Sequence, residues 1–357
     1  VTGVVGFAAW LALVGSSLAA QGKLAATLVR PLAVLHQERL AIASRAREEA
    51  QLRYAQGLAS TSDLLRWDRR LAEAYLEACD RDRDRRRCYE YLADKATAIR
   101  DFEQRRSEAG SGRPTPELLE ANYILAWARC QMIAATPGDS AGLAQARSEL
   151  TRAAQTGYSE QLRSWGQDPG DWEQLMVWSK RWFSSAWYEA ADEQARRTAA
   201  EQHRDRLAEI ERLVGNAPAQ RSARSGLDAG MELACRRAEA ELYLAEAAQL
   251  PAVWERYLDS LRRLRDHALA AAEEDRLGVE ETLQRLERWF EAEWFAARDR
   301  SQKQQVLDVA RELLKDFESG ARRRLQEGSR RVAEPDLYSI AYVRWGLEIR
   351  QARLAHP

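Results

Sequence analysis

The sequence predicts an all-α fold, an elongated antiparallel bundle of long helices in coiled-coil contact, built from three tandem repeats of about 110 residues. Three observations predict it. Long stretches contain neither Gly nor Pro, apolar residues recur at spacings of three and four, and one Trp/Arg pattern returns at nearly constant intervals.

The first element from the N-terminus is a leader. Thr2 to Ala20 carry no charge, and Ser17 and Ala19 give a small-x-small pattern suited to cleavage before Ala20 or Gln21. Residues 1–20 therefore read as a signal peptide or a membrane anchor, because the run approaches the roughly 20 residues that span a bilayer. Either reading implies export.

Helices follow. Asp63 to Ala109, Asp171 to Val214 and Val279 to Ser319 are free of Gly and Pro, and at 1.5 Å per residue each could be a rod of roughly 60 to 70 Å. Leu64, Trp67, Leu71, Ala74 and Ala78 form an apolar seam, as do Leu175, Trp178 and Trp182, and Leu283, Leu286 and Phe290. Ser60 or Ser62 ahead of Asp63, and Thr115 ahead of Pro116 and Glu117, are helix starts. Gly-bearing turns fall near Gly57, Gly112, Gly166 to Gly170, Gly226, Gly278 and Gly328.

The repeats are read by overlay. A shift of 111 lays Trp67, Arg70, Leu71 and Leu76 on Trp178, Arg181, Trp182 and Trp187; a shift of 107 lays Arg181, Trp182, Phe183 and Trp187 on Arg288, Trp289, Phe290 and Trp294. The same 107 carries Arg237, Ala240, Glu241 and Leu242 onto Arg344, Leu347, Glu348 and Ile349, with a more diverged copy at Tyr123 to Arg129 displaced by 113. The division is residues 21–137, 138–250 and 251–357 for helical repeats 1, 2 and 3. Pro31, Pro137 and Pro251 interrupt the alternate helices opposite polar waists such as Asp80 to Arg87. The alternative is that the rods fold back at those waists into more and shorter helices.

Composition narrows function. With 54 basic and 55 acidic residues the net charge is −1, so no global field draws the chain to nucleic acid. Hydrophobic residues at 45% and charged residues at 31%, with a mean hydropathy of −0.56, describe a core beneath a wet exterior. Cys79, Cys88, Cys130 and Cys235 show no CxxC spacing and are expected as free thiols, with a bridge among the first three open in an oxidising compartment.

No motif assigns a catalytic, cofactor-binding or metal-ligating residue. His36, His203, His267 and His356 lack Glu three residues earlier, and HExxH, GxSxG and GxxxxGK[ST] are missing. The chain is expected not to be an enzyme, to need no cofactor and to have no identified small-molecule substrate. Trp67, Trp178, Trp182, Trp187, Trp289 and Trp294 read as core, against a role in stacking ligands. Arg70, Arg181 and Arg288 read as bridges to carboxylates on neighbouring helices, against a recurrent anion contact. Arg322 to Arg324 with Arg330 and Arg331 read as cations at a helix C-terminal end, against a contact with lipid headgroups or an acidic partner.

Tyr54, Gly57, Ser60, Asp63, Leu64 and Leu65, then Arg69, Leu71 and Ala74, form a Tyr-x-x-Gly turn and a Ser-x-x-Asp cap that open a long helix. Glu108 to Gln131, with Gly112, Thr115, Leu118, Leu119 and Ala121, repeats the pattern. These segments resemble TolC-like outer-membrane efflux proteins over about residues 50–140. The resemblance implies a trimeric periplasmic helical barrel joined to an outer-membrane β-barrel. The alternating segments of about nine to eleven residues that such strands need are missing between the helices, so the resemblance is limited to the periplasmic coiled-coil part.

The resulting expectation is an exported, non-catalytic helical-repeat protein with a structural or protein-interaction role in the cell envelope. It would be periplasmic or secreted, or anchored through residues 2–20, and would meet a protein partner or a second copy through helical faces. The alternative is a TolC-like efflux component or accessory, associated with the outer membrane. A third reading places a ligand pocket at the waist beside Pro137 and Pro251.

Overall fold

The computed structural model describes residues 32–79, 82–110, 112–136, 138–165, 172–216, 219–329 and 331–355. The leader, Pro31, Pro137, Gly166 to Gly170, Arg330 and His356 lie outside them. The described residues form twelve helices and no strand: α1 Leu32–Ala55, α2 Thr61–Ala78, α3 Asp82–Ala109, α4 Pro116–Ala134, α5 Ser140–Trp165, α6 Trp172–Glu189, α7 Glu193–Gly215, α8 Ala219–Leu244, α9 Leu250–Glu273, α10 Val279–Ala296, α11 Arg300–Gln326 and α12 Asp336–Ala355. The fold is all-α, as the periodicity predicts.

The helix starts have local causes. Ser60 accepts from the Asp63 amide while the Asp63 carboxylate accepts from the Ser60 amide, a reciprocal capping box. Thr115 accepts from Leu118 N at 3.1 Å, with Pro116 in the first turn of α4 where its missing N–H costs nothing. Gly57, at φ +73°, supplies the left-handed residue that lets the chain turn out of α1.

The three rods do not run through. Each Gly- and Pro-free stretch folds back, between Ala78 and Asp82, between Glu189 and Glu193, and between Ala296 and Arg300, which is the alternative of more and shorter helices. The physical reason at two of these sites is an aspartate. Asp192 accepts from Ala195 N at 2.7 Å and Asp299 from Gln302 N at 2.9 Å, so each starts a new helix inside a sequence that could have continued the old one. Gln302 completes the second cap by accepting from Arg298 N at 2.8 Å.

Consecutive helices pack on one another, and α12 packs on α1, so the array closes on itself. The odd-numbered helices pack chiefly on their neighbours around this circuit, with Arg324 of α11 also reaching the Ala272 carbonyl of α9. The even-numbered ones also reach each other, α2 with α4 and α10 with α12. Two layers result, an even-numbered set inside, whose members other than α8 are the short helices of the circuit, and an odd-numbered set outside.

One contact recurs around the circuit. Arg181 of α6 pairs with Glu120 of α4, and Arg288 of α10 pairs with Glu232 of α8. At the closure Arg70 of α2 donates to Ser339 of α12 at 2.9 Å and takes its charge partner from Glu280 of α10, at 2.8 and 3.2 Å. Tyr342 seals that junction by donating to the Arg70 carbonyl at 2.9 Å. The helix carrying each arginine thus grips the last helix of the preceding repeat. The contacts also refine the overlay, since Glu120 and Glu232 occupy one position at a shift of 112 rather than 113.

Tryptophans fill the interior as expected. Trp67, Trp178 and Trp289 are buried, while Trp182, Trp187 and Trp294 are partly so. Gly157 of α5 admits one of them, because a Cβ there would clash with three carbons of the six-membered ring of Trp178, well inside van der Waals contact. That ring cannot yield easily, with Tyr123 against its edge at 5.7 Å and Arg181 over its face at 4.6 Å. Replacing a helical Gly by Ala ordinarily gains up to about 1 kcal/mol, but overpacking should reverse the sign. Gly157→Ala is expected to destabilise by about 1 to 3 kcal/mol, and Gly320→Ala in α11, with nothing within 4 Å, to stabilise modestly. Urea unfolding of the two variants checks both signs.

Candidate functional site

The surface feature that this architecture leaves unexplained lies where repeats 2 and 3 meet. The C-terminal half of α8, the start of α9 and the end of α10 enclose an open groove of about 1020 Å³. Pro251 in the first turn of α9 begins that helix just after the turn that follows α8. One turn on, Trp254 meets Phe295 of α10 at a ring separation of 6.0 Å and Tyr257 at 5.9 Å. Tyr243 of α8 forms the opposite wall, against Phe183 at 4.8 Å and Trp187 at 5.0 Å. Phe295 is 82% exposed and Tyr188, electrostatically in reach of Tyr243, is 69% exposed. No other large apolar side chains of the described residues stand so far into solvent.

The groove departs from the repeat. At the shift of 218 that carries Thr61 onto Val279, Trp254 stands where repeat 1 has His36, and Phe295 where it has Glu77. At 107, Tyr243 corresponds to Arg350. Positions that are His36 and Glu77 in repeat 1 are thus aromatic in repeat 3, and at the shift of 107 repeat 2 has the likewise exposed Tyr188 where repeat 3 has Phe295, so neither ring is spent on interior packing.

Beneath the aromatic walls lies a buried charge network. Glu232 binds Arg288 and, at 2.9 Å, Arg236; Glu239 binds Lys180 at 2.6 Å, with Arg236 and Arg288 each at 3.4 Å. Burial alone would raise both acids, but these cations hold each below the ordinary carboxylate range. Desolvation drives the Lys180 ammonium down and the Tyr257 hydroxyl up. The groove therefore has a floor of paired charges, three cations shared between two carboxylates, with Glu255, Glu291 and Arg298 at its rim.

No protein-family model matches the chain, and no curated protein matches it.

The other candidate positions are accounted for by packing. A polar cavity of about 520 Å³ lies between helices of all three repeats, but its charges are committed: Arg66 to Asp63, Arg69 to Glu73, Arg181 to Glu120. His203 is buried against Ser179, and His267 faces Asp228 at 3.0 Å. Among the described residues no three His, Cys, Asp or Glu groups converge on a metal position, and no helix is long and apolar enough to cross a membrane. Arg322 pairs with Glu318, and Arg324 donates to the Ala272 carbonyl, so these two arginines are engaged within the fold. The Tyr54-to-Ala74 motif forms the turn and cap described above. Pro251 does line the groove, so the waist reading touches it. The aromatic residues themselves, Tyr188, Tyr243, Trp254 and Phe295, were missed, and the one available signal was their mismatch to other repeats, to His36 and Glu77 of repeat 1 and Arg350 of repeat 3.

Proposed function

We propose that the protein is an exported, non-catalytic helical-repeat element of the cell envelope that engages a protein partner through the aromatic groove between repeats 2 and 3. The observation that carries this reading is Phe295, a large apolar side chain held almost wholly in water beside Trp254 and Tyr243. Aromatic anchors flanked by arginine and carboxylate rims are the composition of interaction hot spots. The arginine ties around the circuit fit a scaffold, since they spend their charge on holding repeats together. The uncharged run Thr2 to Ala20 supports the envelope assignment.

A photo-crosslinking phenylalanine analogue at position 295 tests it. In envelope fractions it should give one discrete adduct of reproducible mass, lost on Trp254→Ala, whereas the same analogue at the exposed Tyr75 gives none. A hot-spot truncation should weaken the contact by about 2 kcal/mol or more, a roughly 30-fold loss. Absence of an adduct, or recovery of the protein only from the cytosol, overturns the reading. A trimer cross-linked in membrane fractions would favour an efflux component instead.

A further inference from the structure

We propose that the junction of repeats 2 and 3 holds a binding site for a small oxyanion of the phosphate class, built around Arg285 of α10. At the shifts of 218 and 107 this position is Trp67 in repeat 1 and Trp178 in repeat 2, both buried rings. Repeat 3 puts a guanidinium there and buries it nearly as deeply, at 7% exposure. A buried arginine in place of a tryptophan is costly unless its donors are hydrogen-bonded. Glu173 of α6 stands 3.7 Å from Nη2 and Asp228 of α8 stands 3.9 Å from Nη1, both beyond hydrogen-bond length. Asp228 also faces His267 at 3.0 Å. The protein thus leaves Arg285 Nη1 buried without an acceptor.

Arg285 lines a cavity of about 120 Å³ together with Arg236 of α8 and with Arg288, three residues further along α10. A water takes up ~30 Å³, so the space admits one tetrahedral anion. Arg288 is engaged with Glu232 and Glu239, yet its Nε is likewise buried without an acceptor. Two arginines at neighbouring positions on one face of α10 therefore each carry a buried donor with nothing to bond. Guanidinium donors are the groups that recognise the oxygens of phosphate in a fixed fork.

The charge balance points the same way. Lys180, Arg236 and Arg288 already face only Glu232 and Glu239, and Arg285 adds a cation whose carboxylates stand off at 3.7 and 3.9 Å. Of the remaining acids at the cavity, Glu281 is turned to the Gly278 amide at 3.3 Å, as part of the cap of α10. The walls come from the opening turns of α6 and α10, and the N-terminal end of a helix favours negative charge. Access is provided as well. Gln174, Val177 and Gln284 border both this cavity and the polar cavity of about 520 Å³, and the two glutamines are exposed.

Isothermal titration of inorganic phosphate into the purified full chain at pH 7 tests the site, with sodium chloride at matched ionic strength as the control titrant. The expected result is saturable binding of one phosphate per chain and no saturable heat from chloride. Arg285→Met should weaken binding about ten-fold or more, the loss of a charge-assisted hydrogen bond. Arg285→Lys should not restore it, because an ammonium lacks the fork. Glu173→Gln should instead tighten binding about two- to five-fold, the range of a half-exposed ion pair, since it removes a carboxylate that competes for the same guanidinium. A gain of affinity cannot come from a misfolded chain. Absence of saturable heat, which would mean that the cavity takes water only, an equal response to chloride, or an affinity unchanged by Arg285→Met or by Glu173→Gln would each overturn the proposal.

Discussion

Lowering the pH from 7 to 4 is expected to cost the folded protein about 3 kcal/mol through one side chain, His203. His203 of α7 is buried and stacked on Phe183 at 4.9 Å. Its Nδ1 lies 2.9 Å from Ser179 Oγ, which already accepts from Arg206 Nε at 3.1 Å. The hydroxyl can both donate and accept, so the neutral imidazole satisfies this contact in either tautomer. Burial, then Lys180 and Arg206, lower its pKa to about 3, against the weaker opposite pull of Glu239. The sign follows from proton binding. The unfolded histidine takes up a proton near its ordinary 6.5 and the folded one does not until about 3, so stability is full above 6.5 and is lost as pH falls toward 3. Urea unfolding of the protein and of His203→Gln at pH 7 and pH 4 isolates the effect. The variant is expected to be the less stable at pH 7, and the gap should close by about 3 kcal/mol at pH 4; parallel losses would show that His203 titrates normally.

Periodicity made the helices legible, and it could not say where they stop. Asp299, Arg300, Ser301 and Gln302 form a capping sequence as readable as Ser60 to Asp63, yet it sits inside a run with no Gly or Pro, where propensity favours continuation. Only the gain from packing α11 back on α10 and α12 decides the break. The recurrent arginines were readable for a related reason, since Trp67 and Arg70 return as Trp178 and Arg181 and a repeated polar residue on an apolar stripe needs a repeated partner. Which partner was not readable. Glu120 and Glu232 share a position, but at the closure that position is Ser339, and Glu280 enters from another helix. The groove was hidden by the same logic that revealed the core. An aromatic residue at helical spacing reads as buried, and nothing local distinguishes Phe295 at 82% exposure from Phe290 at 5%, whereas the comparison with Glu77 does.

Arg288→Met should be the most damaging single substitution in the described interior, at about 3 to 5 kcal/mol. The side chain it removes is deeply placed and divides its charge between Glu232 and Glu239, both carboxylates being almost fully buried. Methionine fills similar volume, so the loss is electrostatic and leaves two acids with Arg236 and Lys180 alone. Because both acids are held below their ordinary pKa in the intact network, they add stability that is present above about 4.5 and disappears as pH falls through their folded values. Without Arg288 that protection weakens, and the variant should lose stability at a higher pH than the parent. Pairing Arg288→Met with Glu232→Leu separates charge from packing. An uncompensated buried carboxylate is what makes the single change costly, so the double variant should recover at least half of the loss at pH 7. Urea midpoints at pH 7 and pH 5 give the full cycle, and a single-variant cost below about 1 kcal/mol would mean that the junction between repeats 2 and 3 is wet and its ion pairs contribute as surface pairs do.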